Sequence, residues 1–194
     1  MTDAERAQGE FREIYRMVGS ALDDPGSLQP EISEAGRRAH LRLWERPSFA
    51  NHRCWAVWGP ASPRQDQRAS GLLRRLVWRR DLDAPRTDPL RRLALLGQAV
   101  KATLEVTDRA LDVRILTRAL HPPVLASPGE VMRRPRAIHL DGDSYGVELD
   151  SGSSSFRCEW FGVAGDWTPV DTTYQDVASW SIALRDDLDA LASD

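Results

Sequence analysis

Between residues 137 and 161, apolar and polar side chains alternate in three successive runs, each separated from the next by Gly, Ser and Asp. Ile138 and Leu140 mark the first run, Tyr145, Val147 and Leu149 the second, and Phe156, Cys158 and Trp160 the third, with DGDS and SGSSS between them. A period of two sends alternate side chains to opposite faces of a pleated strand, and the short breaks reverse the chain. The stretch is therefore expected to form a three-strand antiparallel meander with one apolar face, which must be covered. Cover is at hand: Val177, Trp180, Ser181, Leu184, Leu188 and Leu191 recur at helical spacing over residues 173–192.

The same reasoning organises the rest of the chain. Ala4, Ala7, Phe11, Ile14, Tyr15, Val18 and Leu22 predict a helix over residues 3–22, capped by Asp3 and stopped by DDPGSLQP. Ala39, Leu41 and Leu43 alternate within a strand from Arg38 to Glu45, and Arg53–Gly59, apolar on both faces, reads as a central strand. Leu72–Leu82 fits a strand or a short helix, and its place one loop after a central strand favours a third antiparallel strand, giving a first meander over residues 38–82. Asp88 and Pro89 open a helical middle over residues 89–120, with Leu90, Leu93 and Leu96 before Gly97 and a second helix starting near Thr107 or Asp108 through Leu111, Ile115 and Ala119. HPPVLASPGEVMRRP cannot stay helical for long. The expected architecture is one α+β domain over residues 1–194, in the order α-βββ-αα-βββ-α. Its six strands would form a mostly antiparallel sheet in two meanders, with helices packed on one face.

The densest aromatic stretch, SSSFRCEWFGVAGDWTPV, has two readings. Phe156 and Trp160 share the apolar face with Cys158, and Trp167 lies where the chain turns toward the last helix. They can act as wedges fastening strand to helix, each indole N–H finding a loop carbonyl. Alternatively, Phe161 and Trp167 stack a sugar or base beside Glu159 and Asp166. The helix that follows immediately favours the fastener.

Catalytic signatures are sparse. His52 and Cys54 share a strand face without a third ligand, and CxxC and HExxH are absent, so no metal is expected. DGDSYG imitates a calcium loop through Asp141, Asp143 and Gly146, but Tyr145 and Gly152 occupy ligand positions where oxygen-rich side chains are needed. No GxSxG elbow or phosphate-binding glycine loop is present, and no cofactor is expected. One constellation remains: His139, Glu148 and Glu159 on adjacent strands of the polar face could form a general base in a small hydrolase or transferase. A solvated sheet face produces the same pattern. Cys54 and Cys158 are read as buried free thiols.

Charge divides unevenly. The chain carries −3 overall, yet residues 137–194 hold two arginines against twelve acids, a charge of −10, and residues 1–136 hold 24 bases and 17 acids, a charge of +7. All but Lys101 of the 26 basic residues are arginine, the usage of a GC-rich bacterial genome, so the arginines are not by themselves phosphate ligands. Arg74, Arg75, Arg79 and Arg80 could simply face the acids of the second meander. If instead each pole addresses a partner, the negative net charge counts against nucleic acid, leaving an Arg-lined nucleic-acid accessory as a third reading. With no apolar run of membrane-spanning length and a polar N-terminus, the sequence predicts a cytoplasmic protein without membrane association. Its best reading is a non-catalytic, protein-binding module of the immunity, inhibitor or adaptor kind. It would present Asp166, Asp176, Asp186, Asp187 and Asp189 to a basic protein partner.

Overall fold

The computed structural model describes residues 1–28, 39–48, 50–59, 71–87, 89–95, 98–111, 143–150, 155–162 and 166–193, with the side chains of 84–87, 89, 90 and 94 excepted. The elements are α1 (Asp3–Asp23), β1 (Leu41–Arg46), β2 (His52–Trp58), β3 (Gly71–Trp78), α2 (Arg80–Thr87), the one-turn α3 (Pro89–Arg92), β4 (Leu104–Leu111), β5 (Asp143–Asp150), β6 (Ser155–Gly162) and α4 (Gln175–Ser193). All six strands join one antiparallel sheet in the order β4-β3-β2-β1-β5-β6. The α+β class and the six antiparallel strands are as the sequence predicts.

The partition of the strands differs from two meanders of three. Thr107 and Asp108, expected to open a helix, lie within β4, which pairs with β3 along its whole length. Among the described residues the first meander thus has four strands, and the β5–β6 pair lies beside β1. The run Ile138–Leu140, the expected helix from residue 112 to 119, Asp88 and Gly97 lie outside the described residues. Leu72–Leu82 is divided: β3 ends at Trp78 and α2 begins at Arg80. At the N-terminus Thr2, not Asp3, is the cap, in a reciprocal box with Glu5.

Helices cover both faces of the sheet rather than one. On the first face Leu41, Leu43, Trp55, Val57, Leu73, Tyr145, Val147, Cys158 and Trp160 pack under Val177, Ala178, Leu184 and Leu188 of α4. On the second, Cys54, Leu76 and Trp78 pack under Ile14, Val18, Ala21 and Leu22 of α1. The apolar residues on both faces of β2 had marked it as central; each face has its own helix.

The second face also carries a charged row. The registers align Asp108, Arg74, Ala56, Arg42, Glu148 and Arg157 across the sheet. Arg74 holds Asp108 at 2.7 Å and donates to the Pro25 carbonyl at 2.8 Å, while Arg42 holds Glu148 at 2.5 Å and donates to the Leu22 and Asp23 carbonyls. α1 has no base in its last turn; the sheet supplies the cation to its carbonyl end. Trp44 lies between the Arg42 and Arg157 guanidiniums, each 5.0 Å from its ring. Its ring rests on Gly146, where a Cβ would come within 2.1 Å of it.

Candidate functional site

Among the described residues a cleft of about 520 Å³ opens at one end of the first face, lined by Glu45, Pro47, Ala50, Asn51, Arg53, Asp143, Tyr145, Arg185, Asp186 and Asp189. Its floor follows from strand register. Glu45 pairs with Arg53 on one side and Tyr145 on the other, so three neighbouring strands aim these side chains the same way. The C-terminal half of α4 contributes Arg185, Asp186 and Asp189, and the Pro47–Asn51 segment contributes the rim.

The carboxylates in the cleft are not equivalent. Asp143 accepts from the Ser48 amide at 2.9 Å and the Tyr145 hydroxyl at 3.1 Å. Burial first, and then the neighbouring Asp143 charge, raise the Tyr145 hydroxyl above its ordinary pKa, so it stays protonated. Asp189 meets the Trp55 indole N–H and the Arg75 guanidinium, each at 2.8 Å. Glu45 receives the Trp167 indole N–H at 2.9 Å and lies 3.1 Å from Arg53. Even so, burial lifts its pKa above the ordinary value, against the lowering effects of Trp167, Arg53 and Arg185. Asp186 pairs at 2.6 Å with its neighbour Arg185, whose guanidinium lies 5.1 Å from the Trp167 ring, and remains 62% exposed.

Four carboxylates and the guanidiniums of Arg53 and Arg185 line this space, and a third guanidinium, Arg75, holds Asp189 from the sheet side. No described residue there is a histidine or a cysteine, and no described group of three His, Cys, Asp or Glu side chains could hold a metal ion. What the arrangement can do chemically is accept a cationic group.

The residues singled out from sequence are distributed as follows. Asp186 and Asp189 line the cleft, but Asp189 turns to the sheet instead of to solvent, bound by Trp55 and Arg75. Asp176 is exposed on α4, and Asp187 is half-buried. Asp166 is exposed and accepts from the Thr168 amide at 2.9 Å and the Thr168 hydroxyl at 2.8 Å, which holds its pKa below the ordinary value. Glu148 and Glu159 share the second face, but Glu148 sits between Arg42 and Arg157, while Glu159 accepts from the Ser144 hydroxyl at 2.7 Å. His139 lies outside the described residues. The aromatic subsite does not form: Trp167 is buried with Trp160 on the first face, and Phe161 lies on the second.

Glu45, Asp143 and Tyr145 were not singled out. For Glu45 the signal was present, because continuing the alternation of Leu41 and Leu43 by two residues places it on the same inward face. Asp143 was read as part of a turn and instead opens β5.

The arginines of β3 and its C-terminal end do not form a stripe. Arg74 and Arg75 point to opposite faces, toward Asp108 and Asp189, and Arg79 is held by Asp81 at 2.8 Å and Glu105 at 2.5 Å. Arg80 donates to the Ser48 carbonyl. No helix among the described residues is long and apolar enough to cross a membrane. No protein-family model, curated protein or solved structure matches the chain.

Proposed function

We propose that this protein is a non-catalytic binding module of the inhibitor or adaptor kind, and that the cleft beneath α4 receives an arginine or lysine side chain of a basic protein partner. The observation that carries this reading is Glu45 at the floor of an acid-lined cleft: burial raises its pKa against the lowering effects of Trp167, Arg53 and Arg185, and an incoming cation would favour its charged form. A carboxylate whose charge burial disfavours lowers stability and is retained where it serves recognition. Asp176 and Asp171, exposed on and just before α4, extend the negative field that steers a basic partner toward this end. The inward pairing of the β3 arginines supports a protein partner over a nucleic acid, and the ion pairs of Glu148 and Glu159 give a catalytic role little room. The reading takes the protein to act in the cytoplasm of a bacterium, an expectation that its arginine usage supports.

Calorimetric titration with a capped penta-arginine peptide at low salt tests this. Glu45→Gln keeps an oxygen for the Trp167 indole but removes the charge, and should weaken binding by about tenfold, the worth of one charge-assisted contact. Because burial disfavours the Glu45 charge, the same substitution should leave the melting temperature at neutral pH unchanged or higher. Equal affinity in the two proteins contradicts the reading.

A further inference from the structure

The two edges of the sheet are not alike. At β6 the outer edge is engaged: Gly162 bridges Pro169, and the Val170 amide donates to the Phe161 carbonyl at 3.0 Å. At β4 the inner edge pairs fully with β3, and no described strand lies on the outer one. Edge strands are ordinarily protected by Pro, a bulge or charged side chains, Lys above all. β4, LEVTDRAL, has neither Pro nor Lys nor Gly and is eight residues long. Glu105, Val106, Arg109 and Ala110 are exposed, Val106 to 46%.

We infer that β4 is a self-pairing edge through which two copies of this chain join as a weak antiparallel dimer. The charges select the occupant. Glu105 and Arg109 share the first face, two residues either side of Thr107. A two-fold axis at Thr107 places each copy's Glu105 opposite the other's Arg109, with the two threonines facing between them. Opposite-charge and Thr–Thr pairs are both favourable directly across antiparallel strands. A strand without this symmetric pattern would meet the same charges unmatched, so they discourage other chains while admitting a copy. Glu105 is already held by Arg79 at 2.5 Å, which orients its carboxylate on that face. β3 separates this edge from Arg53 of β2 and the rest of the sheet residues that line the cleft, so the dimer is independent of the partner-binding reading. A single eight-residue edge buries less than a standard stable interface, so the association is weak and concentration-dependent.

Sedimentation velocity on the full chain, from about 1 to 500 µM so as to span micromolar affinities, tests the inference. The wild type should pass from monomer to dimer over this range. Arg109→Glu, at an exposed position, turns both cross-strand pairs into like-charge pairs and should weaken the dimer by about tenfold or more. Glu105→Arg should do the same. An equimolar mixture of the two variants should dimerise again, because each new charge meets its opposite on the other variant. A wild type that stays monomeric, its edge left to a strand of some other protein, overturns the inference. So does a dimer that Arg109→Glu leaves intact, or a mixture that stays monomeric.

Discussion

His52 shows how a single side chain ties stability to pH. It lies largely buried on the second face, against the edge of Trp78 at 4.8 Å and within 3.1 Å of the Pro47 carbonyl. Burial first, and then the nearby Arg80 and Arg46 charges, lower its pKa to about 4. Unfolded, the imidazole binds its proton near pH 6.5; folded, it does not until far lower pH. Its contribution is therefore complete above about pH 6.5 and is lost as the pH falls toward about 4, a span worth about 2–3 kcal/mol. Urea denaturation at pH 7 and pH 4.5 should show a smaller acid loss in His52→Gln than in the wild type; equal losses would mean the ring is solvated. The two thiols are simpler. Burial pushes Cys54 and Cys158 each up to about 12, so they are unreactive near neutrality. They point to opposite faces of the sheet, on strands three places apart, about 14 Å at the usual spacing, too far for a disulfide.

The elements most legible in the sequence were those with a strong period and one buried side. α1, α4, the central β2 and the β5–β6 pair all carry apolar stripes that no alternative placement could bury. β4 was missed because an edge strand has little to bury: Glu105, Val106, Arg109 and Ala110 are exposed. The second helical face was missed because Cys54, Leu76 and Trp78 stand among arginines, which read as a solvated side until α1 is seen above them. The aromatic fastener is where sequence and structure agree most closely. Trp160 donates its indole N–H to the Trp167 carbonyl at 2.9 Å, and both rings are buried with Tyr145 in the core shared with α4. Trp160→Ala should therefore cost about 3–5 kcal/mol in chemical denaturation. A variant with the wild-type midpoint would show the ring to be dispensable to the junction.

Across the whole molecule, the division of charge seen in the sequence resolves into two parts. One part is internal: Arg42 with Glu148 and Arg75 with Asp189 join the basic N-terminal region to the acidic C-terminal one through the sheet. The other part stays at the surface, at the α4 end, where Asp171, Asp176 and Asp186 are exposed and Glu45 waits at the floor of the cleft. Sequence arithmetic gave the sign of that end but not its shape, because Glu45 near the end of β1 and Asp143 at the start of β5 reach α4 only through strand pairing. The central claim is that this cleft is where a basic side chain lands. The direct measurement is a map of amide chemical-shift changes in ¹⁵N-labelled protein titrated with the capped penta-arginine peptide. The largest changes are expected at Glu45, Asn51, Arg53, Asp186 and Asp189, reduced by added salt and by Glu45→Gln. Changes centred on the second face around Glu148 and Glu159, or none that saturate, would contradict it.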